Sequence, residues 1–181
     1  MRKIPLLAAL SLLSACASSP ESHYFTLSAA PPRQQAVSDR PVFHLASVKL
    51  ADLYDRPQMV TRTGAQSVEI DEYDRWAEPL EHMTARILAQ DIALRRPHPA
   101  GPLPASTDQP KLQISVDEFA ADRSGTARLS GNWKITGPGD AEPRGGAFSF
   151  TQAVEGNGAG AVAAAMSALL GQLADEVDRD N

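Results

Sequence analysis

The chain has 181 residues, 17 of them basic and 22 acidic, and a single cysteine. A net charge of −5 without a Lys/Arg cluster argues against nucleic acid as a partner, because phosphate neutralisation dominates that affinity. One cysteine excludes an internal disulfide framework, and His23, His44, His82 and His98 show no ligand spacing, so no metal is expected.

The N-terminus reads as an export signal. Arg2 and Lys3 precede an apolar stretch from Ile4 to Leu13, far short of the roughly 20 residues that span a bilayer. Ser14 and Ala15 then lead into Cys16, and Leu13-Ser14-Ala15-Cys16 resembles a bacterial lipobox. The expectation is a cleaved signal peptide over residues 1–15 and a covalent lipid on Cys16, with no other cofactor. Loss of Arg2 and Lys3 takes the net charge from −5 to −7, so anchoring to anionic lipid must come from acyl chains. Ala17, rather than Asp, follows the cysteine, which by analogy with enteric bacteria directs the protein to the periplasmic face of the outer membrane. Residues 16–22 form a tether reaching at most about 25 Å, and residues 23–181 suit one domain.

Tyr24–Ser28 reads as a first strand, and Pro31-Pro32 mark the loop that follows, Ala29–Pro41. Val42–Leu50 is an apolar strand whose alternation slips between Leu45 and Val48, the mark of a bulge. Gln58–Thr63 and Ser67–Asp71 form a hairpin around Gly64-Ala65. Pro79–Arg96 is a helix with Leu80, Met83, Ile87, Leu88 and Ile92 as its buried stripe, closed by Arg95-Arg96 and Pro97.

After a Pro-rich linker, His98–Pro110, three alternating strands follow. Leu112, Ile114 and Val116 share one face of the first. Ala127, Leu129, Gly131, Trp133 and Ile135 share a face of the second, and Phe148, Phe150 and Val154 of the third. Ala159–Asp178 is the strongest helical pattern, with Val162, Met166, Leu169, Leu170, Leu173 and Val177 on one side. The fold class is α+β: a single domain with an antiparallel-rich mixed sheet and two helices on one face.

Catalytic patterns are missing from the sequence. Gly156-Asn157-Gly158-Ala159-Gly160 lies between strand and helix, but no phosphate-loop Lys or second parallel strand follows, so it reads as a hinge. No Gly-x-Ser-x-Gly elbow occurs, an acylated Cys16 is no nucleophile, and Glu72 and Glu78 lack an evident partner. The expectation is a protein that is not an enzyme.

The densest polar and aromatic stretches are Leu53-Tyr54-Asp55-Arg56-Pro57-Gln58-Met59-Val60-Thr61-Arg62 and Tyr73-Asp74-Arg75-Trp76-Ala77-Glu78-Pro79-Leu80. Arg75 and Glu78 flank a helix start, and Trp76 either plugs the core or offers a contact surface. The runs DRPQMVTR and DRWAEPL resemble the signature of ABC-type transport auxiliary lipoproteins, the paraquat-inducible protein C (PqiC) family. The likeness covers the mature chain, although Tyr54 stands where a small or aliphatic residue is expected.

The resemblance implies an outer-membrane lipoprotein that docks mammalian-cell-entry (MCE) proteins and their ABC transporter, which move lipid between membranes. It also makes a homo-oligomeric ring an attractive assembly. Asp55, Arg56, Gln58, Arg62, Arg75, Trp76 and Glu78 are the candidate partner-binding residues. The alternatives are a structural lipoprotein stabilising another envelope complex, and a lipid chaperone, which needs a large apolar cavity that the clean alternation does not supply.

Overall fold

The computed structural model describes residues 20–31, 43–95, 109–137 and 142–179. The expected signal peptide, Cys16 and most of the tether lie outside the described residues, as do most of the Ala29–Pro41 loop and the His98–Pro110 linker. The elements are β1 (His23–Phe25), β2 (His44–Leu50), β3 (Gln58–Gly64), β4 (Ser67–Trp76), α1 (Leu80–Arg95), β5 (Lys111–Asp122), β6 (Thr126–Thr136), β7 (Arg144–Ala153) and α2 (Ala159–Arg179).

They build one mixed sheet in the order β1-β4-β3-β5-β6-β7, with β2 also paired to β5. The long pairings β5–β6 and β6–β7 and the β3–β4 hairpin are antiparallel. The β1–β4, β2–β5 and β3–β5 pairings are parallel. One edge of β5 is therefore shared: β2 pairs with it from Lys111 to Val116, and β3 joins it at Ala121 and Asp122. The slip in β2 is real, a register shift between Leu45 and Ser47.

Alternation decides the core face. Leu112, Ile114 and Val116 of β5 are buried, as are Ala127, Leu129, Trp133 and Ile135 of β6. A register shift after Val116 resets the phase of β5, so that Phe119 and Ala121 return to the core. Against this face lies α2, which buries Met166, Leu169, Leu170, Leu173 and Val177. Packed on α2 and β2, α1 buries Leu80, Met83, Ile87 and Leu88. Gly131 is required by close approach. A Cβ there would lie 2.0 Å from the Ser115 carbonyl oxygen and 2.9 Å from the Phe148 ring. The Gly-rich entry to α2 is a tight turn, with Gly156 and Gly158 at φ of 100° and 82°.

Two expected boundaries are corrected. Strand β1 stops at Phe25, because the next backbone donors turn to the helices instead of a neighbouring strand. Leu27 N–H donates to Met83 Sδ, Ser28 N–H to Ser167 Oγ and Ala30 N–H to Asp91 Oδ1. This segment is thus a strap across both helices. Strand β4 continues past Asp71 to Trp76, since Asp74, Arg75 and Trp76 pair with β1. That partner lies 51 residues away in sequence for Asp74 and His23, beyond any local pattern.

Candidate functional site

The two polar-aromatic stretches meet at one corner of the domain. Between β2 and β3 the chain makes a tight turn, in which Tyr54 N–H and Asp55 N–H both donate to the Ala51 carbonyl. This aims the Tyr54 ring inward, where it is 3% exposed. The Trp76 N–H donates to the Pro57 carbonyl at 2.7 Å, which fastens the end of β4 to this turn. Trp76 is 4% exposed and, with Tyr54, Met59, Val60, Leu80, Phe119 and Met166, encloses a cavity of only about 10 Å³.

Asp55 reaches the start of α1, where its carboxylate accepts the Glu81 N–H at 3.1 Å. It acts as a helix cap borrowed from another loop, answering an amide that the helix itself leaves free. Arg56 folds back on its own turn, donating from Nε to the Leu53 carbonyl. Gln58 and Arg75 face each other across β3 and β4. Both are half-buried, and Arg75 Nε is buried without a hydrogen-bond partner. Glu78 is exposed and paired with Arg86 at 2.7 Å.

Arg62 lies further along β3, towards the hairpin tip. Its guanidinium donates to the Ala65 carbonyl and lies 3.3 Å from Glu118. A hydrogen bond with the Tyr54 side chain, then the Glu118 charge, raise its pKa above the ordinary arginine value. Tyr54 thus serves the core with its ring. Asp55, Arg56, Gln58, Arg75 and Trp76 come together at the corner, Glu78 stands just before α1, and Arg62 belongs to the hairpin.

A cleft of about 460 Å³ opens beside Arg62, between the hairpin tip and the β5–β6 turn. Three arginines line it, but each has a carboxylate already: Arg62 with Glu118, Arg123 with Glu69 at 2.6 Å and Arg128 with Asp122 at 3.6 Å. The cleft is therefore not a ready anion pocket. Asp122 is held below the usual carboxylate range, chiefly by the Ser124 hydroxyl.

Sequence reasoning missed two polar clusters. Glu81, not Glu78, is the acid that ties α1 to the sheet: it binds Lys49 at 2.8 Å and accepts the Leu50 N–H at 3.3 Å. The Lys49 hydrogen bond lowers its pKa. The second cluster, Asp91, Arg95 and Asp175, lies between the helices. The spacing of Asp91 and Arg95 by four residues was the available signal. Among the described residues no group of three His, Cys, Asp or Glu side chains is arranged for a metal ion. None of the described helices is long and apolar enough to cross a membrane.

The family model for the ABC-type transport auxiliary lipoprotein component matches residues 25–178. Curated protein sequences yield no match. Among solved structures, an uncharacterised protein is similar at TM-score 0.72 and 16% identity, over 88% of this chain and 98% of that one. A Xanthomonas campestris protein of the DUF330 family is similar at TM-score 0.70 and 21% identity, over 86% of this chain and 92% of that one. Both share the fold.

Proposed function

Since the chain belongs to the ABC-type transport auxiliary lipoprotein component family, we propose that it is the docking subunit of an MCE-type system moving lipid between membranes. Acyl chains on Cys16 hold it to the periplasmic face of the outer membrane, and the folded domain receives the periplasmic part of the transporter. The observation that carries this reading is the extent of the family match, which takes in both sequence motifs and both helices. The lipobox-like run before Cys16 supports the anchor. A cavity of about 10 Å³ beside Trp76 is too small to hold an acyl chain, which favours docking over lipid carriage within this part of the core.

The test is co-purification. The full-length protein, extracted from cells with the transporter, is expected to bring down the MCE protein and the ABC ATPase. Labelled fatty acid is expected in the wild type and not in Cys16→Ala, with the label in the outer-membrane fraction. Purification free of transporter subunits would refute docking, and equal labelling of both proteins would refute the anchor.

A further inference from the structure

The β3–β4 hairpin leaves one strand edge open. Among the described residues β4 pairs with β3 from Ser67 to Ile70 and again at Arg75, and with β1 only at Asp74, Arg75 and Trp76. From Ser67 to Tyr73 every residue of β4 is exposed, on both faces. The exposed large apolar side chains of the described residues gather here: Val68 at 37%, Ile70 at 40% and Tyr73 at 43%, with Tyr24 of β1 at 64% beside them. Asp71 Oδ1 accepts the N–H groups of both Tyr73 and Asp74, which closes the ladder at that point and bounds the open edge.

An unpaired edge with alternate apolar side chains is a template for another strand. Val68 and Ile70 lie on the face of their cross-strand partners Arg62 and Val60, so an incoming strand would meet apolar side chains at these two alternate positions. Between and beyond them stand Glu69, Asp71 and Glu72. Among the described residues Glu69 is paired only with the exposed Arg123, a contact of little strength.

Charge selects the occupant. In an antiparallel pairing of two copies about Ile70, Glu69 would stand opposite Asp71, a destabilising like-charge pair. The outer strand at the other end of the sheet, β7, carries Arg144 as its one charged residue, too little to answer three carboxylates. Anionic lipid would be repelled. We propose that the Ser67–Glu72 edge is a docking strand that accepts, by strand addition, an extended segment of a partner protein in which Lys or Arg alternates with apolar residues. The inference rests on the docking reading only for which protein brings that segment.

The experiment installs a photo-reactive benzoylphenylalanine at Val68 of the full-length protein in cells that make the transporter, with Gln113 on the exposed side of β5 as control. The expected adduct is a peptide of another protein with more Lys and Arg than Asp and Glu. Ile70→Lys and Glu72→Lys are each expected to cut its yield about tenfold, because lysine on an edge strand blocks pairing or repels a basic strand. Both positions are exposed, so melting temperatures should stay at the wild-type value. An adduct to phospholipid, to a second copy or to an acidic peptide would overturn the proposal, as would a yield no higher than at Gln113. Co-purifying transporter subunits with no Val68 adduct would leave docking intact and remove this surface. A basic segment from a protein outside the transporter would keep the surface and remove the transporter.

Discussion

Asp91 and Arg95 sit one turn apart on α1, 3.6 Å between charged atoms, yet their surroundings satisfy them unequally. Arg95 donates to the Asp175 carboxylate at 2.6 Å and to the carbonyls of Asp91 and Gly171. Asp91 is fully buried and accepts the Ala30 N–H, while its Oδ2 has no hydrogen-bond partner. Arg95→Met should therefore cost about 3–5 kcal/mol, since it strands a buried carboxylate. Asp91→Asn keeps an acceptor for Ala30 and should cost about 1 kcal/mol. Urea unfolding of both variants checks this, and equal losses would show that the network is not asymmetric.

The same carboxylate gives a signed pH dependence. Burial pushes the Asp91 pKa above its ordinary 3.8, so just above that pH the native state holds a proton the unfolded chain has lost. Its contribution is present at acid pH and is lost as pH rises through the native pKa. Glu81 behaves oppositely: its pKa lies below 4.5, so its stabilisation is complete above that pH and is lost as pH falls. Glu81→Gln should weaken the acid-side loss, with Asp122, also lowered, supplying what remains. Asp91→Asn should remove the opposing slope. Unfolding free energies between about pH 3 and 7 measure both slopes.

Gly131 tests the packing of β6. Its φ is not positive, so the glycine answers space and not backbone conformation. In Gly131→Ala the new methyl would meet the Ser115 carbonyl of β5 and the Phe148 ring of β7 together. A ring can shift but a ladder carbonyl cannot without opening the β5–β6 pairing. A loss of about 1–3 kcal/mol follows from such overpacking. A melting temperature equal to wild type would mean that β5 and β6 separate easily here.

The regular elements were legible because their signals are local. The apolar faces of β5 and β6 and the Met166 to Val177 side of α2 are periodic in sequence, and they are buried as read. What the sequence hid is non-local. Nothing near Thr26 shows that its neighbours' amides will find Met83, Asp91 and Ser167. The parallel placement of β1 and β2 depends on partners in β4 and β5 far along the chain. At the candidate site, the two motifs were singled out by composition, and their meeting at the Pro57–Trp76 hydrogen bond came only with the fold. The open β4 edge was invisible because Val68 and Ile70 alternate with acids as a half-buried strand would.

Trp76 separates a core role from a contact role. Its indole is 4% exposed and shares a nearly closed cavity with Tyr54, Leu80 and Phe119. Trp76→Ala should cost about 3–5 kcal/mol, the range for emptying a buried aromatic site. Tyr54→Phe keeps the ring and removes only the hydroxyl, which helps raise the Arg62 pKa, so a loss of no more than about 1 kcal/mol is expected. Arg62→Met should lose a similar amount, and the double variant should lose less than the two together if the hydroxyl and guanidinium act as one contact. Strict additivity would show them independent. Partner capture by Trp76→Ala has to be read at a temperature where the variant is folded, and there it should match wild type. Weakened capture by a folded Trp76→Ala protein would mean that the corner opens on binding and that Trp76 is part of the contact.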